Sequence, residues 1–358
     1  MSQDERQEVR LTWSPTPCSE RMTTEPGFDV LVTGSSGHLG TALMHALPSL
    51  GYRPLGMDIL ASDMTHVIGS VSDRALVHRV FAANPSIRNV IHAATLHKPH
   101  VGSHEPHQFI DTNIAGTQAL LDSAKDRKVD SFIFISTTST FGDALSPAKG
   151  SPAAWIDEDV RPVPKNIYGA TKCAGEDLCY LASKNHGLPV IVLRTSRFFP
   201  ELDDDPKRRD AVQDDDNLKV LELAYRRVDI ADIVSVCHRA MVCAGNLRWA
   251  RFIISAPTPF ANDPDTLRLL NENAEEVFAR VAPETVAVFS RRGWKFLLRL
   301  DRVYDSSKAL KELDWHPVYT FSRAVGCVDR GEEWRSELAL LVGKKGYHAV
   351  NTGVYTQK

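Results

Sequence analysis

The sequence predicts an α/β protein: a doubly wound parallel sheet followed by a smaller C-terminal α/β substrate domain. Three observations carry this. Short apolar runs alternate with stretches of helical period, the pattern of right-handed βαβ units. The first run, Val30 to Val32, leads into glycines at 34, 37 and 40 and then into an apolar-periodic helix from Leu39 to Leu47. Strand, glycine turn and helix in that order aim backbone N–H groups at a pyrophosphate. The length, 358 residues, suits one large unit or two coupled domains.

The elements follow in order. Tyr52 to Met57 reads as a second strand ending at Asp58, Val67 to Gly69 as a third, and Ala75 to Ala83 as its helix. Asn89 to Ala94 is a fourth strand. Pro106 to Lys128 carries one long apolar periodicity, Ser131 to Ser136 is a fifth strand, Asn166 to Lys184 a helix and Pro189 to Leu193 a sixth strand. Beyond Arg197 the character changes. Glu201 to Asp216 holds seven Asp and one Glu and reads as a solvated loop, or as a mobile lid near the substrate. Asp229 to Ala244, Thr266 to Val281 and Ser306 to Leu313 read as helices, and Phe252 to Ser255 as a strand. The domains expected are a flexible extension over 1–27, a dinucleotide-binding unit over 28–196 and a substrate-binding region over 197–358. Segments near 226–256 are expected to return to the first unit.

Composition narrows the function. A net charge of −3 leaves no cationic footprint for nucleic acid. No apolar run approaches the roughly 20 residues of a membrane span. The acidic, polar start lacks the apolar core of a signal peptide. The six cysteines form no C-x-x-C pair, so reduced, mostly buried thiols and a cytoplasmic location are expected.

Asp58 stands 18 residues beyond Gly40, at the end of the second strand. A carboxylate there accepts hydrogen bonds from both ribose hydroxyls of NAD and repels the 2′-phosphate of NADP. The next three residues, Ile59, Leu60 and Ala61, offer no cation, so NAD is favoured. Tyr168 and Lys172 lie four apart and share a helix face. A tyrosine is a poor base near neutral pH, and a neighbouring ammonium favours its phenolate. Thr137, or a neighbour in the Ser136 to Gly142 run, ends the fifth strand in the crevice where ligands of such sheets bind. Five histidines between His92 and His107 match metal-ligand spacing only loosely, and no metal is expected.

Taken together, these motifs resemble the extended short-chain dehydrogenase/reductases, within the NAD-dependent epimerase/dehydratase family that includes UDP-galactose 4-epimerase. The matching pieces run in family order from about residue 28 to 325: Thr33 to Gly40, Asp58, His92-Ala93-Ala94, Asn113 to Thr117, Ser136 to Gly142, Tyr168 to Lys172, Leu193-Arg194, Val228 to Ile233, Asp305 to Ala309 and Leu313 to Pro317. The resemblance implies a Rossmann fold and bound NAD, with cofactor contacts from Gly34, Gly37, His38, Leu39, Gly40, Asp58, Ala93, Ala94, Tyr168 and Lys172. It implies catalysis by Thr137, Tyr168 and Lys172, and a homodimer formed through a helix bundle.

The departures bear on the substrate. Thr138 and Ser139 stand where sugar dehydratases carry Asp-Glu, so dehydration is not expected. Arg197 stands where sugar epimerases carry an Asn that touches the nucleotide sugar, and Ser70 replaces the family's Asp after Gly69. Arg197 either holds a phosphate or carboxylate, or pairs with the Asp-rich stretch. His97 or Lys98 lies where the fourth strand's loop is expected to approach the nicotinamide, as a substrate or cofactor contact. The function expected is hydride transfer at a secondary alcohol or ketone carbon, foremost of a nucleotide sugar. The alternatives are a dehydrogenase or ketoreductase of another small molecule, and a non-catalytic NAD-binding protein.

Overall fold

The computed structural model describes residues 27–345, Lys149 and Asp204 excepted. Residues 1–26 of the expected extension, and Cys18 with them, lie outside the described residues.

Seven strands form one sheet: β1 (Val30–Thr33), β2 (Pro54–Asp58), β3 (Val67–Ile68), β4 (Asn89–His92), β5 (Ser131–Thr137), β7 (Val190–Thr195) and β8 (Trp249–Ile254). Their order is β3-β2-β1-β4-β5-β7-β8, and every pairing is parallel. From β1 the chain runs outward to β3, then crosses back to place β4 on β1's other side. The crevice at that reversal, beyond the strands' C-terminal ends, is where such sheets take ligands.

The strands are apolar on both faces because both are covered. Their period of two sorts the core into halves. Val30, Val32, Ile91, Ile133 and Ile191 face one way and pack under the His38–Ala46 and Ile230–Leu247 helices. Leu31, Val90, Phe132 and Val190 face the other and pack under Arg74–Ala83, Gly116–Arg127 and Ile167–His186. The Ile230–Leu247 helix is long and apolar enough to span a membrane by composition, and half of its most apolar window is buried inside the protein.

The remaining chain builds a second apolar cluster from the Asp215–Leu223, Pro264–Leu270, Ala274–Val281, Pro283–Arg292 and Phe321–Arg330 helices. A small parallel sheet joins β6 (Ala154–Ile156) to β9 (Arg302–Tyr304). Three expectations are corrected here. The helix expected over Thr266 to Val281 is two, because the chain turns at Asn271 and the Ala274 amide donates to the Leu298 carbonyl. The helical run after Pro106 is three segments, with a wide π-type turn over Ile110–Ala115 between two α-helical pieces. The Asp-rich stretch is largely helical, over Pro206–Val212 and from Asp215 onward. Asp205 and Asp214 spend their carboxylates as helix caps.

Candidate active site

The glycines after β1 are fixed by crowding. Gly34 takes a left-handed φ of 75°, and a Cβ there would stand 2.8 Å from the Ala94 amide nitrogen. A Cβ on Gly40 would stand 1.9 Å from the Gly34 carbonyl oxygen. Only glycine lets the loop lie against the end of β4 while the helix starts directly above it. Gly37 is the helix's N-cap and supplies no side-chain cap bond, so the N–H groups of its first turn are available to an anion. Exchange of Gly40 for Ala is therefore expected to yield protein that no longer co-purifies with nucleotide, read from the nucleotide released on denaturation.

Asp58 ends β2 beside this loop. Its Oδ2 accepts the Ser36 amide at 3.0 Å and its Oδ1 the Leu60 amide at 2.9 Å. Each oxygen keeps a second lone pair, enough to accept one ribose hydroxyl each. Cradle, bare helix start and acid together fit a dinucleotide. Behind them His92 is structural. Its two ring nitrogens meet Thr33 Oγ1 at 2.8 Å and Thr117 Oγ1 at 3.0 Å. Burial, with the Lys172 charge adding, pushes its pKa well below the ordinary value. Ala93 and Ala94 follow it along the cavity wall.

Thr137 and Tyr168 meet across the crevice. Thr137 ends β5, and Tyr168 sits in the first turn of the Ile167–His186 helix, which Asn166 caps through the Gly169 amide at 3.0 Å. Thr137 Oγ1 accepts the Ser139 amide at 3.1 Å, and its side chain lines the cavity together with the Tyr168 phenol. Burial pushes that phenol up to about 12, against the lowering effect of Thr137. Lys172, one turn on, is buried, with Nζ 3.9 Å from the centre of the Phe134 ring. Burial lowers its pKa to about 7. The protein at neutral pH thus holds a protonated phenol beside a lysine near its midpoint, and added positive charge is what would release the phenol's proton.

Asn113, quoted in the motif above without a role, fastens this arrangement. The wide turn carries it inward, where its Oδ1 accepts from Thr95 Oγ1 (2.9 Å) and the Leu96 amide (2.8 Å). Its Nδ2 donates to the Leu96 carbonyl (2.9 Å) and Thr171 Oγ1 (3.0 Å). The loop after β4 is thereby tied to the helix of Tyr168 and Lys172. Glu176, another turn along, is buried on Ser136 Oγ (2.6 Å) and Arg194 Nη2 (2.7 Å). That network anchors the same helix from below.

One cavity of about 810 Å³ contains the glycine loop, Asp58, Thr137 and Tyr168 and continues past His97 and Arg197 to Arg208 and Arg226. His97 stacks on Phe199 with ring centres 5.7 Å apart. Of the two possibilities for Arg197, the ion pair is made: Nη1 donates to Asp203 Oδ2 at 2.8 Å, while the residue also lines the cavity. Asp203 is buried and is the hub of a cluster, accepting Arg208 Nη1 and Arg226 Nη2 at 2.7 Å each. Glu222 supports it, accepting from Arg208, Arg226 and Arg227. Part of the acidic stretch is thus interior, not solvated, because basic residues up to 23 positions later fold onto it. Among the described residues no group of His, Cys, Asp and Glu is placed to hold a metal, and five cysteines are free thiols.

A glycine cradle, an acid after β2 and a Tyr–Thr pair on one cavity define a nicotinamide-nucleotide enzyme built on a doubly wound sheet. The chain belongs to the NAD-dependent epimerase/dehydratase family, whose model matches residues 30–214. It is 27% identical over 311 residues to the low-salt glycan biosynthesis protein Agl12 of Haloferax volcanii, covering 75% of this chain and 95% of that one. It is 28% identical over 187 residues to a UDP-glucose 4-epimerase of Halalkalibacterium halodurans, and 28% over 194 to UDP-glucuronate 4-epimerase 3 of Arabidopsis thaliana. Those matches span 50% and 49% of this chain, and 53% and 44% of the two relatives. The fold is shared with the crystal structure of UDP-N-acetylglucosamine 4-epimerase from Bacillus cereus, at a TM-score of 0.57 and 20% identity, over 85% of this chain and 98% of that one. NAD dependence comes with the family, and the cradle and Asp58 fit it.

Proposed function

We propose that the protein epimerises a nucleotide sugar at a secondary alcohol carbon, with Tyr168 as the acid/base. The observation that carries the proposal is the placement of Tyr168 and Thr137 on the wall of the cavity that also holds the glycine cradle. The relatives that are UDP-sugar 4-epimerases support the substrate class, and so does the arginine-lined far half of the cavity. Tyr168 removes the hydroxyl proton of the reacting carbon and later returns it. Thr137 holds the same oxygen through both steps. Lys172 favours the phenolate from behind. NAD, when bound, supplies the ring that accepts and gives back hydride at that carbon. The wall at Arg197, Arg208 and Arg226 faces the anionic nucleotide part of the substrate, which stays attached to the sugar throughout.

A panel of UDP-sugars tests the proposal: interconversion without net NADH is expected, and steady NADH formation or consumption would refute it. Asp58→Ala is expected to weaken NAD binding about tenfold, as the loss of paired hydrogen bonds to a charged acceptor implies; titration of NAD into nucleotide-stripped protein measures it. The proposal includes a cytoplasmic homodimer. The free thiols support the location. Ile110, Tyr180 and Leu181, exposed on the helical stretches after Pro106 and Ile167, support the pairing.

A further inference from the structure

A second cavity, of about 360 Å³, adjoins the first and shares His38 with it. His38, Phe198 and Phe199 wall both cavities, with the His38 and Phe198 rings stacked 5.8 Å apart. Two buried side chains in its lining have polar atoms without partners. His38 is 3% exposed and neither ring nitrogen is hydrogen-bonded. Trp334 is 7% exposed and its indole N–H meets no acceptor. Buried polar groups are seldom left in this state, and two on one cavity wall point to a ligand that satisfies them.

The charges around the cavity indicate which ligand. Lys219, Arg227 and Lys344 all line it. Its acids are satisfied from within the fold: Asp215 pairs with Lys219, and Asp229 accepts from the Ala231 amide and from Ser336. Glu201 follows Pro200 at the cavity margin and feels Lys344, Lys219 and Arg227. His38, kept neutral chiefly by burial, also feels two cations, Lys345 and Arg227. Lys219 is taken by Asp215, and Arg227 spends Nε on Glu222 and Nη1 on the Phe199 carbonyl, so Lys344, the remaining Arg227 nitrogen and the indole are the donors open to a ligand.

We propose that this cavity is a second binding site, separate from the cofactor and substrate cavity, for a small ligand carrying an oxyanion, phosphate or carboxylate, held by Trp334, Arg227 and Lys344. The oxyanion accepts the Trp334 N–H and lies between the two cations. Its occupant touches His38, the first residue of the dinucleotide-binding helix.

The test is calorimetric titration of NAD-loaded protein with inorganic phosphate and, separately, with citrate, each with and without excess UDP. Saturable binding of either probe that persists under UDP is expected; the tighter of the two identifies phosphate or carboxylate as the better occupant. Trp334→Phe keeps the packing and removes the donor, and Lys344→Glu reverses one charge. Each is expected to weaken binding about tenfold, the effect of one charge-assisted hydrogen bond or ion contact, without changing NAD content. Absence of saturable binding, displacement by UDP, or affinities unchanged in both variants overturns the proposal.

Discussion

Tyr168→Phe is expected to lower turnover by about 10²- to 10⁴-fold, the range for loss of a positioned acid/base. The substitution removes one oxygen from a buried ring and leaves its packing intact. Its structural cost is the loss of one polar atom from the cavity wall, about 1 kcal/mol at most. Bound NAD and melting temperature should therefore stay close to wild type while epimerisation disappears. Retention of most of the activity would mean that another group moves the proton. Thr137→Val offers a graded control, since it keeps the phenol and removes the hydroxyl that lines the cavity with it.

The largest effect on stability is expected at Asp203. Its carboxylate compensates Arg197, Arg208 and Arg226, none of whose side chains is more than 17% exposed. Asp203→Ala removes the acceptor that three guanidinium groups share and is expected to cost about 3–5 kcal/mol, the range for breaking a buried ion pair. Denaturant unfolding measures it. The cluster also has a pH signature. Burial alone would raise the Asp203 pKa, and Arg197 and Arg208 outweigh it, holding the carboxyl below its ordinary value. A folded-state value below the unfolded one gives stability that is full above about pH 4 and is lost as pH falls through the folded value. That part of the acid-limb loss should be missing from Asp203→Ala.

What the sequence discloses here depends on how local each signal is. β1, β4 and β5 are legible because strands buried on both faces read as unbroken apolar runs. The cradle, Asp58 and the Tyr168/Lys172 pair are legible because each consists of residues whose spacing alone sets their geometry. Asn113 is different. Its sequence position is plain, and its inward orientation comes from a wide helical turn with no composition cue. β6 and β9 have three residues each, too few to show a period. Asp203 is the sharpest case. Surrounded by acids it looks solvated, and its burial is decided by Arg208 of the next helix, Glu222 of the helix after it and Arg226 of the turn beyond.

The sheet's connectivity also sets an order of events during synthesis. β7 needs β8 on its outer side, and β8 is translated only after the whole ionic cluster and the Ile230–Leu247 helix. β6 waits longer still, since Ala154 pairs with Arg302. Until residue 254 has left the ribosome, β7 presents the apolar edge Val-Ile-Val-Leu to any other unpaired strand. Slowed elongation between 196 and 249 would prolong that exposure, and a chain stopped there would hold the complete cradle and the Tyr168 helix on a sheet prone to self-association.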